Sequence, residues 1–81
     1  MRIDKYLKVS RLIKRRTLAN EACEKGRVKI NDRAAKPGSD VKIGDIIEVQ
    51  FGNNTVRVKV TMISESTPKA DAGKMYDILG D

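Results

Sequence analysis

Apolar positions recur with a period near four at the start of this chain and with a period of two through its middle. Ile3 and Leu7 are four apart, while Arg2, Lys5 and Lys8 are three apart. This spacing predicts a short helix over residues 3–9 with one apolar and one basic face. So short a helix is unstable alone and must dock on the rest of the domain. Leu18, Ala19, Ala22 and Cys23 form an i, i+1, i+4, i+5 stripe, which predicts a second helix over residues 16–25. The small Ala19 and Ala22 allow the two helices to approach closely, Glu21 and Lys25 form a favourable i,i+4 pair, and Gly26 is a good stop.

Beyond Gly26 the alternation is that of strands. Val28 and Ile30 alternate with Arg27 and Lys29, Asn31-Asp32 reads as a tight turn, and Ala34-Ala35 begins a return strand that Lys36-Pro37-Gly38 breaks. Gly44-Asp45 is a further turn, followed by a strand over residues 46–51. Gly52-Asn53-Asn54 closes a hairpin into residues 55–63, where Val56, Val58, Val60 and Met62 alternate with Arg57, Lys59 and Thr61. In the tail, Thr67-Pro68 suits a helix start. Ala72, Met75, Tyr76 and Leu79 then fall at i, i+3, i+4, i+7, which predicts a short C-terminal helix weakened by Gly73. The expected organisation is an α+β domain over residues 1–64 and a tail over residues 65–81.

Charge divides the chain. Residues 1–42 hold thirteen bases against five acids, a net of +8, and the remainder four against six, a net of −2. The overall +6 is thus concentrated in the half that carries the helices, the footprint of a polyanion partner. At 81 residues the chain supports one small core and leaves little room for a deep substrate cavity. The single Cys23 cannot form an internal disulfide, which points to a reducing, cytoplasmic compartment. No window approaches a membrane span, and the start MRIDKYLKVSR has no secretory apolar region.

Candidate chemistry follows from the bases. Lys14, Arg15 and Arg16 precede or open the second helix, where positive charge opposes the helix dipole. The placement is poor for stability but good for a phosphate, which helix N-terminal amides and nearby bases can meet together. Arg2, Lys5, Lys8 and Arg11 offer a second basic row, and Arg27 and Lys29 lie in the same half. Asp4 stands inside the row; it is read first as a helix cap, with the alternative that it holds Arg16 or another arginine in a fixed pose. Cys23 is read as core. Tyr6 and Tyr76 are read as packed side chains with the hydroxyl at the edge rather than as base-stacking platforms. The absence of histidine removes the usual general base and the commonest metal ligand, so neither an enzyme nor a metal or cofactor site is expected.

The run Arg2-Ile3-Asp4-Lys5-Tyr6-Leu7, then Arg16-Thr17-Leu18-Ala19, then Cys23-Glu24-Lys25-Gly26-Arg27-Val28-Lys29-Ile30-Asn31 resembles the RNA-binding domain named after small-subunit ribosomal protein S-four. Residues 41–51 resemble its later Val-x-x-Gly-Asp segment. The resemblance covers about residues 1–51. It departs where the family often has Ser or Thr at the position of Arg15 and Gly at that of Asp32. It implies two packed N-terminal helices against a small bent antiparallel sheet, with RNA on the helical face. The opening stretch 2–17 and Met75-Tyr76-Asp77-Ile78-Leu79 are similar to the free-standing heat-shock protein fifteen group, in particular its Gram-positive branch in ribosome-associated quality control. That likeness implies large-subunit ribosomal RNA and peptidyl-tRNA as partners, alongside the tailing factor RqcH, in rescue of stalled nascent chains by C-terminal alanine tailing.

The sites so implied are Arg2, Lys5, Arg16, Arg27 and Lys29, joined from the charge pattern by Lys8, Arg11, Lys14 and Arg15, with Asp4 in support. The rival readings are a DNA-binding module inserting its second helix into a groove, an accessory subunit of an RNA-modifying enzyme, and an interaction protein that uses the acidic tail. A monomer is expected.

Overall fold

The computed structural model of the chain describes residues 1–64 and 69–80. Helix α1 spans Ile3–Val9 and α2 Arg16–Glu24. Strands β1 (Val28–Ile30), β2 (Arg33–Ala34), β3 (Ile46–Phe51) and β4 (Asn54–Val60) follow, then a 3-10 turn over Lys69–Met75 and a fifth strand, β5 (Tyr76–Gly80). The strands form one antiparallel sheet in the order β2-β1-β3-β4-β5. This is the α+β arrangement of two packed helices against a small antiparallel sheet that the resemblance implies, built from the elements that the patterning predicts.

The alternation along the strands sets the two faces of the sheet. Val28, Ile47, Val49, Val58 and Val60 are buried and meet Ile3, Tyr6 and Leu7 of α1 and Ala19 and Cys23 of α2. Each fully buried large side chain contributes about 1.5–3 kcal/mol. Leu18 departs from the predicted stripe: it is 48% exposed, so the buried seam of α2 is the narrower Ala19–Cys23 line.

The loop that follows β2 determines how α1 begins. The Ile3 N–H donates to the Ser39 carbonyl (2.8 Å) and the Asp4 N–H to the Pro37 carbonyl (3.3 Å). Arg2 bridges Asp40 in strand fashion, and the Met1 ammonium meets the Asp40 carboxylate at 2.8 Å. Main-chain carbonyls therefore satisfy N–H groups that a capping side chain would otherwise take. Asp4 is not a cap; the N-cap residue is Arg2, with no side-chain cap bond.

α1 stops at Val9, and Arg11 adopts φ +63°. Its N–H donates to the Lys8 carbonyl (3.1 Å) and the Ile13 N–H to the Leu7 carbonyl (3.0 Å), a C-terminal closure that ordinarily uses glycine at the left-handed position. The predicted basic row therefore leaves the helix before it reaches Arg11. A second left-handed pair, Asn31 (φ +51°) and Asp32 (φ +67°), makes the two-residue turn between β1 and β2. Both residues lie in the region that matches the twist of adjoining strands. Asn31 also accepts from the Ile46 N–H (2.9 Å) and donates to Asp45 (3.1 Å), pinning this turn to the start of β3.

The C-terminal segment corrects the helical reading. Thr67-Pro68 lies outside the described residues. Ala72 and Met75 are buried as that stripe requires, but residues 76–80 are a strand paired along β4, with a register slip between Arg57 and Val58. The apolar spacing at Ala72, Met75, Tyr76 and Leu79 favours a helix and was overridden. The open edge of β4 decided it, by offering backbone partners that a short helix with an internal glycine cannot match. Tyr6 is the second correction. Its hydroxyl is buried, not at an edge, and donates to the Met75 carbonyl at 2.7 Å. Burial, with a smaller contribution from Tyr76, pushes its ionisation well above the ordinary phenol range.

Candidate nucleic-acid interface

The packing of α1 on α2 brings Asp4 and Arg16 together across a twelve-residue separation. The Asp4 carboxylate is almost wholly buried, with its side chain 3% exposed. One oxygen accepts from Arg2 Nη2 at 3.2 Å and the other from Arg16 Nη2 at 3.4 Å. The two guanidinium groups are themselves about half exposed. A single buried acid thus contacts two cations by one nitrogen each while both arginine side chains stay about half exposed. Guanidinium forks fixed in this way match the paired oxygens of a phosphate.

These side chains open onto a cleft of about 470 Å³, lined also by Thr17, Asn20 and Glu21. Thr17 and Asn20 supply a hydroxyl and an amide, groups that commonly contact phosphate and sugar. Neither is charged, so the charge pattern does not point to them. Their signal was positional, since Arg16, Thr17, Asn20 and Glu21 recur at i, i+1, i+4, i+5 beside the buried seam of α2. Arg15 is the N-cap of α2 and makes no side-chain cap bond, so the first turn of that helix lacks the usual acceptor.

The remaining bases are spread around this centre. Lys5 is half-buried on α1, Lys8 is exposed, and Arg11, Lys14 and Arg15 are exposed between the helices. Arg27 stands at the α2–β1 junction and lines a different groove. Lys29 is not on the helical face. It projects from the outer face of the sheet, where Lys29 Nζ and Arg57 Nε both approach Glu48 at 3.9 Å. The structure thus joins Arg2, Asp4 and Arg16 in one constellation and separates Lys29 from it. Cys23 lies in the core beneath. Burial first, then the charges of Asp4 and Glu24, raise its thiol from 9.0 to about 11.

A family model described as the S4 domain matches residues 1–47. The chain belongs to the S4-domain family. It is 52% identical over 81 residues to the RQC P-site tRNA stabilizing factor of Streptococcus pneumoniae, covering 100% of this chain and 92% of that one. It is 54% identical over 79 residues to the protein of the same description from Bacillus subtilis, covering 98% and 92%. Among solved structures, the trimeric heat shock protein 15 of Vibrio cholerae superposes with a TM-score of 0.89 at 32% identity, over 96% of this chain and 80% of that one.

Proposed function

We propose that this protein is a non-catalytic RNA-binding factor of ribosome quality control. In this reading it binds large-subunit ribosomal RNA and peptidyl-tRNA while stalled nascent chains are rescued, and it supports alanine tailing beside RqcH in the cytoplasm. The observation that carries the reading is the pair of half-exposed arginines, Arg2 and Arg16, anchored on one buried carboxylate. The description of two relatives as stabilizers of P-site tRNA gives the process. Arg2 and Arg16 form the centre of the RNA contact, Lys5, Lys8, Arg11, Lys14 and Arg15 extend it along the helical side, and Asp4 positions the two arginines. Arg27 flanks it. Lys29 contributes only to the general field, because it lies on the other face of the sheet. With three aromatic residues in the chain, recognition rests on phosphates and shape more than on a stacking platform.

The experiment is sedimentation of the tagged protein from cell lysate with a probe for co-migrating tRNA. Co-migration with free large subunits that carry peptidyl-tRNA is the expected result, and Arg16→Glu should abolish it while the circular dichroism spectrum is unchanged. Migration at the top of the gradient, or ribosome association undiminished in Arg16→Glu, would overturn the assignment.

A further inference from the structure

Leu18 and Phe51 border an apolar groove that the arginine cleft does not use. The groove lies between α2 and the β3–β4 hairpin and holds about 280 Å³. Ile13, Ala22 and Val49 line it between Leu18, 48% exposed, and Phe51, 40% exposed. Arg27 also lines it and is the one charged side chain among the described residues that do so. Leu18 belongs by spacing to the apolar stripe of α2, yet it is withheld from the core and turned to this opening.

The dimensions and chemistry restrict what fits. The volume falls just below the roughly 300–1,000 Å³ of pockets that enclose drug-sized ligands, so it suits one planar ring system. An aromatic face, an aliphatic side chain opposite and a guanidinium at the rim are the groups that hold an unstacked base of RNA. Position agrees with this. Arg16 and Leu18 are two residues apart on the first turn of α2, so cleft and groove open on different sides of one basic helix start. Arg15 and Arg16 precede Leu18 at the start of α2, and Arg27 lines the groove itself, so positive charge stands both at the helix start and at the groove. An apolar peptide helix would need a longer trough and finds no acid here to match its own cations.

We propose that this groove takes a single unstacked nucleobase of the RNA bound at the arginine cleft, with Phe51 stacking on the base, Leu18 closing the other side and Arg27 at the adjoining phosphate. The inference rests on the RNA-binding reading above. The test uses the full chain and two RNA hairpins, one with a single 2-aminopurine bulge and the other fully paired. The bulged hairpin is expected to bind more tightly, in the range of about 5- to 150-fold for one stacked base, with a change in 2-aminopurine fluorescence on binding. Phe51→Ala and Leu18→Ala should each erase most of that advantage and leave affinity for the paired hairpin within about twofold, the scatter usual for exposed sites. Should Phe51→Ala lose its helical signal, Leu18→Ala decides. Equal binding of the two hairpins, or an advantage that survives both substitutions, overturns the inference and leaves the RNA-binding reading standing. Failure to bind either hairpin overturns both. Binding with no change in 2-aminopurine fluorescence leaves the groove to a partner other than a base and also overturns the inference.

Discussion

Asp4 gives the sharpest test of how the arginine pair works, because two physical accounts predict opposite signs. If only summed charge matters, Asp4→Asn removes an acid from a basic site and should tighten RNA binding. For a phosphate about 6 Å away in a water-like dielectric, Coulomb's law gives about 0.7 kcal/mol, or roughly threefold. If Asp4 acts by orienting Arg2 and Arg16, the same change should weaken binding. The carboxylate makes one contact to each guanidinium, at 3.2 and 3.4 Å, and is itself buried. The amide retains one acceptor and offers a donor toward two cations. Loss of one fixed charge-assisted contact, discounted because both arginines are half exposed, is worth about 1–2 kcal/mol. This corresponds to a fall in affinity of about 5- to 25-fold. The assay is RNA binding at two or more salt concentrations for wild type, Asp4→Asn, Arg16→Ala and the double variant. Orientation predicts partial non-additivity, since removing Arg16 leaves Asp4 only Arg2 to position. Tighter binding by Asp4→Asn, or additive losses in the cycle, would refute the reasoning. A stability loss of about 1 kcal/mol should accompany the change and lower Tm by roughly 4–8 °C.

Arg11→Gly should relieve the left-handed backbone at φ +63° and raise stability by about 0.5–1 kcal/mol net of the added unfolded-state freedom, while weakening RNA binding through the lost charge; thermal melts and binding isotherms on the same preparation check both signs. Tyr6→Phe removes the 2.7 Å donor to the Met75 carbonyl, which also accepts from the Thr61 and Met62 N–H groups, so the loss should stay near 1 kcal/mol and show first as faster amide exchange in β5. The Cys23 thiol, buried and raised from 9.0 to about 11, should react with thiol reagents at pH 8 far more slowly in the native protein than in denaturant. The same shift has a stability sign. Because the native thiol keeps its proton where the unfolded one loses it, the contribution is full below pH 9 and drains away toward pH 11, so alkaline melts of Cys23→Ala should be flatter over that window.

Much of the fold was legible because its signals are local. The change from a period of four to a period of two marks the passage from α2 to β1, and Asn31-Asp32 and Gly52-Asn53 sit where turns must form. The C-terminal strand was not legible, because Ala72, Met75, Tyr76 and Leu79 satisfy a helical period while the deciding influence was the unpaired edge of β4, which only the assembled sheet presents. The site divided along the same line. Arg2 and Arg16 are visible in the charge pattern, but the role of Asp4 depends on Ser39 and Pro37, whose carbonyls take the N–H groups a cap would serve. Thr17 and Asn20 carry no charge and were missed. The resemblance places Lys29 with the helical bases, whereas its strand position beside Glu48 sets it on the outer face of the sheet, apart from Arg2 and Arg16.

The hydroxyl of Tyr6 and the carbonyl of Met75 are 69 residues apart in the chain. At the ribosomal rate of about 5–20 residues per second, the acceptor is made roughly 3–14 s after the donor. Throughout that interval the first helix lacks one of its buried partners, and β4 lacks its outer neighbour. The carbonyls of Pro37 and Ser39 that seat Asp4 are made well before that acceptor, so the arginine pair stands on a segment that the C-terminal strand locks in place only afterwards.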